Sequence, residues 1–248
     1  MSSDIISCLQ LNKIDGGSKI IVAKEVNGCD SSFLISCILG QCIKLKSPVV
    51  LISLNNAMSH FQNVGLKMNY NLQKYIDIGL ISFINLGLEI VNNLLGNQCA
   101  STDSIISKTT KIISDMQEKH ANVNVVIDGV CHLFDLGFKL KDVNNFCNVM
   151  IGFVRKSSDS FFLCHCNVAS DSDSSYVLSN LLSHKASTVV EVSSLSSGLS
   201  ADVSGHITIK YPGQKYEDEH MFVLNPASTQ YLFKLFDRGV KLFAPGTV

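Results

Sequence analysis

Residues 19–34, KIIVAKEVNGCDSSFL, decide how this chain is read. The apolar run 19–24 predicts a buried strand, Gly28 lies in a short turn, and Asp30-Ser31-Ser32 supply the residues that start a helix. Strand, glycine turn and helix start together form the frame of a phosphate-binding loop. Its pattern, G-x-x-x-x-G-K-[ST], sets a lysine on the β- and γ-phosphates and a hydroxyl on the metal. Aligning Ser31 with the hydroxyl puts Asp30 where the lysine belongs. At about 4 Å and an effective dielectric near 20, one unit-charge pair is worth about 4 kcal/mol of either sign. Exchanging attraction for repulsion is therefore a large penalty. The frame is that of a nucleotide-binding turn; the phosphate-gripping chemistry is absent.

Working outward, strands and helices alternate. Asp30 or Ser31 is expected to cap a helix that runs to about Leu45. PVVLISL (48–54) is a continuously apolar strand of the kind buried on both faces. Residues 57–67 read as helix and LISFINL (80–86) as strand. The Asn- and Gly-rich segment 87–101 reads as loop with one helical turn around 89–95. Residues 102–120 form an amphipathic helix, and VNVVIDG (123–129) a strand ending in Asp128. A helix over 133–154, interrupted near Gly137, precedes the strand 160–166. A Ser/Asp loop at 169–175 leads to a helix at 176–184. Beyond it the chain changes to short strands, 187–193, 206–211, 220–225 and 231–236, spaced by turn residues as in an antiparallel meander. The pattern predicts an α/β fold: a mostly parallel central sheet flanked by helices, with an antiparallel C-terminal edge, in one domain over 1–248. Residues 1–15 read as an N-terminal extension.

In an open parallel sheet a ligand sits beyond the carboxyl ends of the strands. There the second strand delivers Asn55-Asn56, where a working ATPase would carry a catalytic carboxylate; an amide cannot take a proton from water at neutral pH. Asp128 stands after an apolar strand, as a magnesium-holding Asp does, and equally as a turn-capping Asp does. Ser31 is a magnesium ligand or a helix-cap hydroxyl. A weak ATPase using Ser31 and Asp128 with magnesium is thus the enzymatic alternative, and Asp30 speaks against it. Cys164-His165-Cys166, near Cys131-His132, invites a zinc reading. Strand alternation splits it, with the two thiols on one face and the imidazole on the other. A cysteine nucleophile paired with His60 or His165 has no supporting local pattern.

Composition narrows the classes. Of 248 residues, 46% are hydrophobic and 17% charged, apolar enough to expect surface covered by partners. A net charge of −1 and only two arginines, Arg155 and Arg238, argue against a stand-alone nucleic-acid binder. Nine cysteines without a secretory leader read as reduced thiols in cytosol or nucleus. No run is long enough to span a membrane.

Three stretches carry a family resemblance: NVVIDGVCHLFDLGF (124–138), TVVEVSSLSSGLSADVSGHITIKY (188–211) and FKLFDRGVKLFAPGTV (233–248). With the altered turn at 28–32 and in this order, they resemble the Elongator complex protein 6 family over about 15–246. The resemblance implies a RecA-like fold and a non-catalytic role in a heterohexameric ring with Elongator subunits four and five. It further implies that the ring binds tRNA and docks on the larger Elongator subunits, which modify wobble uridines. Any ATP would sit at a ring interface. The degenerate nucleotide-site positions would be Gly28, Asp30, Ser31, Asn55 and Asp128, with no catalytic or metal-binding residue. Residues 129–141 and 167–175 would face the pore, with Lys139 and Lys141 toward tRNA.

Overall fold

The computed structural model describes residues 3–11, 17–26, 28–97, 101–195, 198, 200, 202–212 and 228–244. Among these residues nine strands form one sheet: β1 (Lys19–Val26), β2 (Val49–Ser53), β3 (Ile81–Asn85), β4 (Asn124–Asp128), β5 (Phe161–Val168), β6 (Thr188–Ser193), β7 (Gly205–Lys210), β8 (Ser228–Phe236) and β9 (Gly239–Phe243). Their lateral order is β3-β2-β4-β5-β1-β6-β7-β8-β9. The first six in that row are parallel; β7, β8 and β9 continue it antiparallel. The expected parallel sheet with an antiparallel C-terminal edge is what forms.

Helices α1 (Ser3–Cys8), α2 (Phe33–Leu45), α3 (Met58–Lys67) and α4 (Leu72–Asp77) cover one face. Helices α5 (Leu86–Leu95), α6 (Thr102–Gln117), α7 (His132–Asp135), α8 (Leu140–Arg155) and α9 (Ser174–Ser183) cover the other. Strand alternation divides the core between them. Ile21, Ala23, Leu51, Val126 and Leu163 face α2, while Ile20, Val22, Val50, Val125, Phe162 and Cys164 face α8. Every residue of β2 and β4 is buried, as expected of parallel strands sandwiched between helical layers. β7 instead alternates buried and half-buried positions, because at the antiparallel edge helices cover one side only.

Several elements depart from the sequence reading. Segment 87–101 is not a loop throughout: α5 begins at Leu86, where the Asn85 side chain accepts from the Leu88 amide at 3.2 Å, and it buries Leu86 and Ile90. Gly87, which reads as a loop signal, is a packing requirement. A Cβ there would stand 2.7 Å from the Leu54 carbonyl oxygen. Neither Asp30 nor Ser31 stands at the cap position of α2: Ser32 does, without a side-chain cap bond, and the helix starts at Phe33. Within the stretch read as an N-terminal extension, helix α1 packs on the sheet: Ile5 and Ile6 are buried, as is Leu9 just after it, and the Tyr211 hydroxyl donates to the Cys8 carbonyl at 2.7 Å. Helix α4 and strand β9 were not read from the sequence; β9 returns from β8 through the two-residue turn Asp237-Arg238, with Phe236 opposite Gly239. The strand expected at 220–225 lies outside the described residues.

Candidate functional site

The carboxyl ends of four adjacent strands, in lateral order β2, β4, β5 and β1, carry polar side chains on the α2 face: Ser53, Asp128, His165 and Glu25. Parity puts them there. Ser53 shares its face with Leu51, Asp128 with Val126, His165 with Leu163, and Glu25 with Ala23. Register aligns Ser53 with Asp128. The four residues form a row across the top of the sheet, under the first turn of α2.

His165 is the centre of this row and is fully buried. Its Nε2 lies 2.6 Å from the Ser31 Oγ and 3.6 Å from the Glu25 Oε2, and its Nδ1 lies 3.4 Å from the Asp128 Oδ1. The Nδ1 contact is longer than a normal hydrogen bond, so it acts as an ion pair. The Ser31 hydroxyl donates to Glu25 Oε2 at 3.2 Å, as does the Ser31 backbone amide at 3.0 Å. Ser31 has one hydroxyl proton. With that proton given to Glu25, its lone pair accepts from Nε2–H of the imidazole. Glu25 Oε1 also accepts from the Asn167 amide at 3.2 Å. Asp128 Oδ2 is triply engaged, accepting from the Ser53 hydroxyl at 2.8 Å, the Asn56 backbone amide at 3.0 Å and the Asn56 side chain at 3.1 Å.

The charges follow. Burial alone would lower the His165 pKa, but the two flanking carboxylates outweigh it and raise it to about 9. Burial alone would raise Asp128 and Glu25; the imidazole and the hydroxyl and amide donors outweigh it and hold both below the usual carboxylate range. The result is a fully buried imidazolium between two carboxylates, Asp128 fully buried and Glu25 partly exposed. Such a cluster is costly to desolvate and is tolerated only when every charge finds a partner.

Each residue singled out from the sequence now has a place. Gly28 is exposed in the turn at φ +65°, a conformation glycine adopts without strain. Asp30 is exposed, and its Oδ1 accepts from the Ser32 amide at 2.8 Å, closing the turn into α2. Ser31 is fully buried, turned inward to His165 and Glu25, so its hydroxyl is not a cap. Asn55 packs on Gly129, where an added Cβ would approach the Asn55 Cβ to 2.6 Å. Asp128 is at the centre of the cluster. Lys139 precedes α8 and Lys141 lies in its first turn, both exposed on the segment that follows β4. The only lysine on the last turn of β1, Lys24, leaves on the opposite face and donates to Asn180 of α9 at 2.7 Å. Cys164 and Cys166 face the α8 layer and His165 faces α2, the split that alternation predicts. His60 sits on α3, edge-on to Phe61.

Glu25, Ser53 and Asn167 were missed in the sequence. The available signal was parity: a carboxylate near the end of a buried strand, on the face that the following helix covers. A groove lined by Leu11, Lys46, Pro48, Lys119 and His120 lies at the opposite, amino end of the strands, away from these groups. No helix among the described residues is long and apolar enough to cross a membrane.

The solved structure of a KaiC-like protein from Pyrococcus horikoshii OT3 superposes with a TM-score of 0.63 at 9% identity, covering 91% of this chain and 89% of that one. The fold is therefore RecA-like. Elongator complex protein 6 of Drosophila melanogaster is 24% identical over 261 residues, spanning 100% of this chain and 98% of its own length. The protein of the same name from Homo sapiens is 20% identical over 88% of this chain and 87% of its own. The sequence model of the family described as Elongation complex protein 6 matches residues 4–235, and the chain belongs to that family.

Proposed function

We propose that this chain is a non-catalytic RecA-like subunit of Elongator. In this reading it joins subunits four and five in a heterohexameric ring that supports tRNA binding and wobble-uridine modification by the larger Elongator subunits. Family membership supports the assembly. The observation that carries the non-catalytic part is the closed charge cluster. The groups that would serve phosphate and magnesium are spent on one another: Ser31 on Glu25 and His165, Asp128 on Ser53, Asn56 and His165. A weak ATPase using Ser31 and Asp128 with magnesium would have to break this buried ion-pair network first. Asn55 adds no base. Gly28, Asp30, Ser31, Asn55 and Asp128 are, in this reading, degenerate nucleotide-site positions, and any ATP binds at a ring interface. Exposed apolar residues on α5 and α9, among them Leu88, Leu95, Val177 and Leu181, suit a subunit with neighbours. Lys139 and Lys141 are the residues of this chain offered to tRNA, in the cytoplasm or the nucleus.

The test is affinity purification of the chain from its native cell, followed by mass measurement of the intact assembly and assay of ATP turnover by the isolated chain. Recovery of subunits four and five in equal ratio, with no turnover by the chain alone, is expected. Turnover of about 1 s⁻¹ abolished by Asp128→Ala would establish the enzyme instead.

A further inference from the structure

In a loaded phosphate-binding loop, three elements meet. Backbone amides and a hydroxyl at the helix start hold an anion, a cation bridges that anion and the hydroxyl, and the aspartate of a neighbouring strand faces the cation. The row at the top of this sheet reproduces the pattern from its own side chains. The Glu25 carboxylate sits on the Ser31 amide and hydroxyl, at 3.0 and 3.2 Å. The His165 imidazole contacts that same hydroxyl at 2.6 Å, the Glu25 carboxylate at 3.6 Å and Asp128 at 3.4 Å. An anion, a cation, a hydroxyl and an aspartate stand in the order that phosphate, metal, Ser/Thr and Asp would have.

We infer that Glu25 and His165 are built-in substitutes for an oxyanion and its counter-cation, and that the seat under Glu25 is a latent oxyanion site, kept shut by the chain's own carboxylate. The inference rests on reading this end of the sheet as a degenerate nucleotide site. It shifts the decisive negative charge from Asp30, which is exposed and engaged with the Ser32 amide, to Glu25, which occupies the seat itself. Two features argue that the seat is specific for a tetrahedral oxyanion and not for any solute. The donors left behind by Glu25 are the Ser31 amide, the Ser31 hydroxyl and the Asn167 side-chain amide, with the His165 ring 3.6 Å away. The His165 ring stays buried beside Asp128, so a replacement anion would meet a fixed positive charge.

The experiment is anion rescue. The full-length chain and its Glu25→Ala and Glu25→Gln variants, in whatever assembly they purify with, are melted over a series of inorganic phosphate concentrations. Sodium chloride of matched ionic strength serves as the control. Glu25→Ala should melt lower than wild type and regain stability on phosphate. At about twenty times the dissociation constant the gain is about 4–7 °C beyond any general salting effect seen in wild type. Glu25→Gln, which fills the seat with a neutral amide, should gain nothing beyond wild type. An Ala variant that responds to phosphate no more than wild type overturns the latent site. Where the Ala variant fails to fold, the ring nitrogens of His165 in the wild-type chain are read by ¹⁵N NMR at pH 7.5. A doubly protonated ring is expected, and a neutral ring overturns the substitution. Failed rescue in a chain that still assembles with its Elongator partners sinks this inference alone. Stabilisation of the wild-type chain alone by magnesium-ATP sinks this inference and the non-catalytic reading together.

Discussion

Replacing His165 by glutamine tests whether the buried cluster is charged as the geometry requires. Glutamine keeps a polar group near Ser31 but cannot carry the positive charge. The wild-type ring titrates at about 9, against an ordinary value of 6.5. At about 1.4 kcal/mol per pH unit, this shift corresponds to about 3 kcal/mol of stability. Because the folded-state pKa is raised, the contribution is complete below about pH 6.5 and disappears as pH climbs through about 9. The carboxylates act in the opposite sense. Glu25 and Asp128 are depressed below 4.5 and 3.8, so their contribution is present above those values and is lost as pH falls beneath them. The cluster is thus most stabilising between about pH 5 and 6.5. The chain has no tryptophan, so urea unfolding is followed by far-ultraviolet circular dichroism at pH 6, 7.5 and 9.5. Wild type should exceed His165→Gln by a gap that narrows by about 3 kcal/mol between pH 6 and 9.5, or about 1 M in the urea midpoint. A gap that stays constant over this range would mean a neutral imidazole and would refute the charge assignment.

Asp30→Lys restores the lysine of the phosphate-loop pattern, yet it should confer no ATP binding in calorimetry, because Glu25 still fills the seat. Gly129→Ala forces a side chain onto φ +70° and drives its Cβ to 2.6 Å from the Asn55 Cβ. A loss of about 2–4 kcal/mol in chemical denaturation is expected. Asp173→Ala removes the cap of α9, whose carboxylate accepts from the Tyr176 amide at 3.0 Å. About 1 kcal/mol should be lost, read as a fall of about 2–4 °C in Tm. The chain expressed alone should self-associate through the outer face of α5, where Leu95 is 79% exposed alongside Leu88 and Val91. Lysine at 88 and 95 should shift its sedimentation toward monomer.

How much of this was legible in the sequence depends on distance along the chain. The buried strands β1, β2, β4 and β5 declare themselves by continuous apolar runs. Alternation alone sorts Cys164 and Cys166 from His165. Helix α5 showed only as a single turn around 89–95 because Gly87 and the paired asparagines at 92 and 93 read as loop, whereas burial of Leu86 and Ile90 and the Asn85 cap outweigh their poor helix propensity. Asp30 drew attention because it replaces a motif lysine, and Glu25 escaped it because it replaces nothing. What no local reading supplies is the lateral order that sets β5 between β4 and β1 and so brings His165 between Asp128 and Glu25. That order is a property of the crossover connections, not of any one segment.

The position of β1 within the sheet also governs how the molecule comes into being. The strand made first stands fifth in the row, and its two neighbours are translated roughly 140 and 165 residues later. At about 5–20 residues per second, β1 waits about 7–30 s on the ribosome before either neighbour exists. Through that interval Ile20, Ile21 and Val22 have no ladder to join, although α2, which covers the Ile21 face, follows directly. A product cut anywhere before β5 leaves this strand without a ladder partner, and the first such partner is complete only when residue 168 of 248 has been added.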